Sequence, residues 1–283
     1  MLSAMSAEGL KLRRHRATWL LVWIFPIGVF VITAIALLAE LATGKLPAPG
    51  APELEGWIRG TASFWGASRG GLFRMLVCAF VAVVFAGEYG WNTWKLIVPH
   101  RSRTTLIAAK YLVILALVYA AFVLAGLIFM AMGVLEDVVT GDPLPAGITF
   151  GALALAQVQG LIANLPAMLV AIAFASLISI LTRSTTAAIV ISVIYVTLEQ
   201  LFFAFAPALS LYLPGVVELL YQLLPVYHVQ NLVSWLIEGD AQAVPFASGE
   251  IAYGWPLSLA IVGAWITSMV GLTFFFFRRQ DIN

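Results

Sequence analysis

The stretch EYGWNTWKLIVPHRSRTTLIAAK, residues 88–110, decides how this chain is organised. A plain connection between two apolar runs needs a few turn residues and some Lys or Arg. This one sets Trp91, Trp94, Leu96, Ile97 and Val98 among Glu88, Lys95, Arg101, Arg103 and Lys110, and stops at Pro99. Apolar and aromatic side chains interleaved with cations fit a short interfacial helix that docks on a partner.

Working outward, the flanks of that stretch are strongly apolar, and so is the whole chain. Hydrophobic residues make up 62% of the 283 and charged ones only 10%, with a mean hydropathy of +0.99. That leaves too little polar surface to cover a soluble domain, so an integral membrane protein is expected. The formal net charge of +1 offers nucleic acid no overall attraction. The single cysteine, Cys78, lies in an apolar run, which excludes an intrachain disulfide framework.

Crossing roughly 30 Å of hydrocarbon takes about 20 residues of helix. Six runs qualify: 17–39, 70–87, 111–135, 152–181, 187–209 and 255–277. The first follows Lys11, Arg13, Arg14, His15 and Arg16 with no small-residue cleavage site, so it is read as a retained span. With both termini cytoplasmic, eleven of the Lys and Arg residues fall inside and only Lys45, Arg59, Arg69 and Arg74 fall outside or near it. The outer segment 210–254 holds Glu218, Glu238, Asp240 and Glu250 but no Lys or Arg. Pro207, Pro214 and Pro225 divide it into pieces such as 215–224 and 226–237, too short to span and apolar enough for the outer leaflet. Two extra spans in a tight hairpin are the other reading of those pieces. Residues 44–69 read as a loop with one short helix over 54–64.

The amino-terminal piece places Leu2, Met5, Gly9 and Leu12 at near-helical spacing beside the basic cluster. It either lies in the interface as an elbow helix or its charges only fix topology.

The order Glu88, Asn92-Thr93, Pro99, Ser102-Arg103 and Lys110 resembles the cytoplasmic loop after the second span of the ABC-2 type (type-2 ABC transporter) permeases. In that family a carboxylate closes the second helix, a Gly-Thr or Asn-Thr pair opens a coupling helix, and Pro then Ser-Arg lead to a Lys on the third helix. The resemblance implies an all-helical six-span permease with an elbow helix, a coupling helix after span 2 and outer re-entrant helices between spans 5 and 6. It implies a bacterial inner-membrane exporter of a drug, lipid or peptide, built from two permease copies, expected to be identical, and two copies of a separate ATP-binding subunit. Glu88, Tyr89, Trp91, Asn92, Thr93, Trp94, Lys95, Pro99, Arg101 and Arg103 would contact that subunit. ATP and Mg would sit on the partner, with no cofactor on this chain.

Ionisable groups inside spans are costly and therefore mark functional positions. Arg74 near the outer end of the second span, and Glu199 with Gln200 in the fifth, are assigned to the transport path or gate, together with Asn164. Arg74 either snorkels to the headgroups or pairs with Glu199. Gln157, Gln159, Asn164 and Pro166 interrupt the fourth span, where the proline frees a backbone carbonyl; the amides are read either as interhelical hydrogen bonders or as functional groups. Gly44-Lys45 lacks the upstream glycine spacing of a phosphate-cradling loop, and His15, His100 and His228 are scattered without metal-ligand spacing. Two other classes stay open: a membrane-embedded enzyme joining Glu199, Asn164 and His228, and an ion-coupled carrier using Glu199, although no duplication of halves is visible.

Overall fold

The computed structural model describes residues 1–44, 50–90, 93–97 and 101–280. Six of its helices are long and apolar enough to cross a membrane: α3 (Ile24–Thr43), α6 (Gly71–Gly90), α8 (Arg103–Thr140), α9 (Phe150–Thr182), α10 (Thr185–Leu209) and α13 (Trp255–Arg279). The protein is an all-α membrane protein of six spans, as its composition requires. α6 packs on α9 and α10, α3 packs on α8, and α13 closes against α9.

Short elements fill the connections. At one end lie α1 (Leu2–Arg14), α2 (Arg16–Leu21) and the four-residue α7 (Trp94–Ile97). At the other lie α4 (Leu54–Thr61), α5 (Phe64–Ser68), α11 (Pro214–Leu223) and α12 (Pro225–Ile237). Pro214 and Pro225 each stand in the first turn of their helix, where the missing N–H is no loss. A small antiparallel hairpin, β1 (Val244–Phe246) with β2 (Gly249–Ile251), precedes α13 and had no clear signal in the sequence.

The run expected as a first span is in fact two helices. Pro26 has no N–H to offer the carbonyl of Val22, which accepts instead from Phe25 at 3.2 Å, and the chain turns at residues 22 and 23. The third span runs for 38 residues, roughly 57 Å at 1.5 Å per residue, well over the hydrocarbon thickness. α9 does not break at Pro166, contrary to the expectation of an interrupted fourth span.

The polar residues of α9 hold the far-end segment 54–68 instead. Trp65 inserts its ring between α8 and α9 at Gly126 and Gly160. A Cβ at Gly160 would lie 2.3 Å from that ring, so only glycine admits it. Small residues allow such close approach where apolar burial alone gives no preference over lipid. The indole N–H donates to Gln157 Oε1 at 2.8 Å, and Gln157 Nε2 donates to the Thr61 carbonyl at 3.1 Å. Asn164 Nδ2 donates to Ser68 Oγ at 2.7 Å. Trp57 Nε1 completes the clamp on Asp137 Oδ2 at 2.8 Å. Beneath it, Phe25, Phe64, Phe73 and Phe122 meet with ring centroids 4.8 to 6.3 Å apart. Most are edge-on pairs, each contributing about 0.5–1.5 kcal/mol beyond burial.

The far-end cap of α11, α12 and the hairpin is closed by its own network. His228 Nε2 lies 2.7 Å from the Gln222 carbonyl and Nδ1 lies 3.0 Å from Ser258 Oγ. The carbonyl can only accept, so the ring proton is assigned to Nε2. Asn231 donates to Ser258 Oγ and to the Tyr253 carbonyl, both at 2.8 Å.

Candidate functional site

Two ionic constellations stand at opposite ends of the bundle. The first is built on the last turn of α6. Glu88 is 1% exposed there and accepts from Lys11 of α1, from Lys110 of α8 at 2.7 Å, and from the Thr93 hydroxyl. Lys110 uses its remaining donors on Glu8 at 2.8 Å and on the Val84 carbonyl at 3.0 Å. Two carboxylates and two ammonium groups thus balance, and every Lys110 proton has an acceptor. The knot joins three helices that are far apart in sequence.

Beside it, Trp94 is 2% exposed and packs its ring 4.5 Å from that of Phe277 and 5.9 Å from that of Tyr89. The Lys110 ammonium lies 5.2 Å from the Trp94 centroid. Arg103 donates to the carbonyls of Phe277, Arg278 and Gln280 at 3.1, 2.8 and 2.7 Å, satisfying groups that the end of α13 leaves open. Tyr89 donates to Gln280 Oε1, and Gln280 Nε2 donates to the Ile180 carbonyl at 2.8 Å.

Glu88, Trp94 and Arg103 were expected at the contact with the ATP-binding subunit. Their side chains are already spent inside the chain, on α1, α8 and α13, and Trp94 has almost no surface left to give. Tyr89 and Thr93 are likewise bonded internally. Lys95 and Arg101 are exposed. Trp91, Asn92 and Pro99 lie outside the described residues.

The second constellation lies near the start of α6. Arg74, 6% exposed, donates through Nη2 to Glu199 Oε2 of α10, itself 8% exposed. Pairing, not snorkelling, is therefore what the structure shows. The Arg74 Nε is buried without an acceptor. Gln200 packs its amide against Gly71, where an added Cβ would come within 2.5 Å of Oε1. Asn164 is not part of this pair; its amide is committed to Ser68, although its Oδ1 has no donor among the described residues. The side chain of Arg69, half-buried just before α6, makes no hydrogen bond or ion pair among the described residues. Burial alone lowers its pKa from the ordinary arginine value, and arginine stays protonated regardless. Sequence reasoning counted Arg69 only as a topology charge.

Glu199, Asn164 and His228 do not assemble as one reacting group. Each is held by separate partners: Arg74, Ser68, and the Gln222–Ser258 pair.

The profile of the ABC-2 family transporter protein matches residues 4–199, which include both constellations. The chain belongs to the ABC-2 transporter family. No curated protein matches it. As an ABC-2 protein it is the membrane-embedded permease of an ABC transporter and not its ATPase, and permeases of this family pair with an ATP-binding subunit. In this permease the matched region takes in five of the six spans, with α10 entered as far as Glu199.

Proposed function

We propose that this ABC-2 permease exports a hydrophobic or amphipathic molecule across a bacterial inner membrane, driven by ATP hydrolysed with Mg on a separate subunit. Two copies of the chain and two ATPases form the working unit, with both termini cytoplasmic. The Glu88 knot carries this reading. It ties α1, α6 and α8 together beside the 91–102 connection, and Arg103 adds the end of α13. A displacement of that connection is thereby delivered to the second, third and sixth spans at once. Exposed Lys95 and Arg101, together with Trp91, Asn92 and Pro99, which lie outside the described residues, are the groups the ATPase grips. Glu88, Tyr89, Thr93, Trp94 and Arg103 brace that surface from within. At the far end Arg74, Glu199 and Gln200 serve as the gate, and Asn164 fixes the α5 segment beside it.

The test is copurification. Lys95→Glu with Arg101→Glu should release the ATP-binding subunit while the permease stays folded in the membrane. Undiminished copurification and ATP hydrolysis in that double variant contradict the assignment.

A further inference from the structure

Arg69 and Arg74 line one cavity of about 320 Å³, together with Gln200, Gln230 and Phe203. Arg74 spends one nitrogen on Glu199 and keeps a buried Nε without an acceptor. The Arg69 side chain has no partner among the described residues. The two guanidinium groups thus outnumber the single carboxylate within reach, in a place where an uncompensated charge is costly. Glu238 borders the adjoining cavity of about 440 Å³ that Arg69 also lines, but it accepts from Ser234 at 3.2 Å and forms no ion pair with Arg69. Beyond Val233, which lines that polar space too, lies an apolar cavity of about 440 Å³ walled by Ile162, Pro166, Leu232, Trp235 and Trp255. The polar and apolar spaces thus adjoin at Val233 on neighbouring faces of α12, and donors beside an apolar pocket match the two ends of an amphiphile.

We propose that this site binds an anionic amphiphile as cargo. Its phosphate or carboxylate head accepts from Arg69 and from the free Nε of Arg74, with the Gln200 and Gln230 amides completing the shell, and its apolar part lies along α12 in the cavity beyond Val233. Arginine suits the role because its planar fork presents several donors to one anion. That the bound molecule is cargo rests on the permease reading; that it binds does not.

The experiment uses the purified full-length chain without the ATPase. In neutral maltoside micelles, dodecyl phosphate, dodecyltrimethylammonium and inorganic phosphate are titrated onto the wild type, Arg69→Gln and the exposed control Arg59→Gln. Dodecyl phosphate should bind the wild type and Arg59→Gln alike, and Arg69→Gln about tenfold or more weakly, the range of a lost charged hydrogen bond. The cationic amphiphile should not distinguish the three. Gln230→Ala, which removes only a neutral donor, should weaken dodecyl phosphate several-fold and gives an independent reading. Equal affinity across all variants overturns the site. Inorganic phosphate binding as tightly as dodecyl phosphate overturns the amphiphile. Repeating the titration in discs of phosphatidylglycerol and of phosphatidylcholine separates cargo from resident lipid. Binding should persist in both, and its loss in phosphatidylglycerol alone assigns the site to a lipid head. None of these readouts depends on the ATPase, so failure here leaves copurification standing, and the reverse also holds.

Discussion

The two ends of α6 treat buried charge in opposite ways. At Glu88 two acids and two bases interlock, and each Lys110 donor is used. At Arg74 a single ion pair leaves a buried Nε without an acceptor, and the Arg69 side chain in the same cavity is unpaired, among the described residues. A closed network resists movement because every displacement breaks several charged hydrogen bonds together. An open one has donors to spare for a molecule that arrives and leaves. The first suits a brace that passes force from the ATPase side; the second suits a site that changes occupancy.

The largest expected effect lies in the brace. Glu88→Gln leaves Lys110 and Lys11 facing a neutral amide, and removing one partner of a buried pair costs about 3–5 kcal/mol. Thermal unfolding in detergent should show it as a collapse in stability, whereas Glu55→Gln, in the exposed pair with Arg59, should change it by less than about 1 kcal/mol. Comparable losses for the two would erase the distinction between a buried knot and a surface pair.

The Arg74–Glu199 pair should behave differently. Arg74→Glu and Glu199→Arg should each impair export, and the double swap should recover part of it, with coupling of about 0.5–3 kcal/mol in the matching stability cycle. A double variant no better than the worse single one, at normal membrane levels, would remove the pair from the mechanism.

The smallest effect concerns His228 on α12, the helix that also supplies Gln230 to the open site. Burial lowers its pKa from 6.5, opposed by the bond to the Gln222 carbonyl. The unfolded chain therefore takes up the proton more readily than the folded one. This contribution to stability is full above about pH 6.5 and declines as pH falls below it. His228→Gln should flatten the melting temperature between about pH 7 and pH 5. An unchanged slope would mean that another group sets it.

Much of this was legible in the sequence, and for physical reasons. Long apolar runs have one stable solution in hydrocarbon, so six helices followed from hydropathy. Pro214 and Pro225 marked two helix starts because proline fixes the first turn. The depths of Arg74 and Glu199 left pairing open beside snorkelling, and only the structure decides for the pair. What stayed hidden depends on side-chain direction. Trp94 looked like surface because it sits among charges, yet its ring turns in toward Phe277. Glu8 and Lys11 gave no sign of meeting Glu88 and Lys110, since contacts across 77 to 102 residues leave no local pattern. Gln157 and Asn164 were expected to hydrogen-bond between helices, and they do, but nothing local in the sequence named Thr61, Trp65 and Ser68 as their partners. Gly160 beside them was the available clue, because a glycine within a long helix points to something packed close against it.

The central claim, that the ATPase engages the end of the bundle carrying the 91–102 connection, can be tested by site-directed crosslinking. The chain's one cysteine, Cys78, is fully buried, so the background is low. Lys95→Cys and Arg101→Cys should each crosslink to the copurifying ATP-binding subunit, and Arg59→Cys, at the opposite end, should not. Crosslinking from Arg59→Cys with none from Lys95→Cys or Arg101→Cys would contradict both the contact and the orientation.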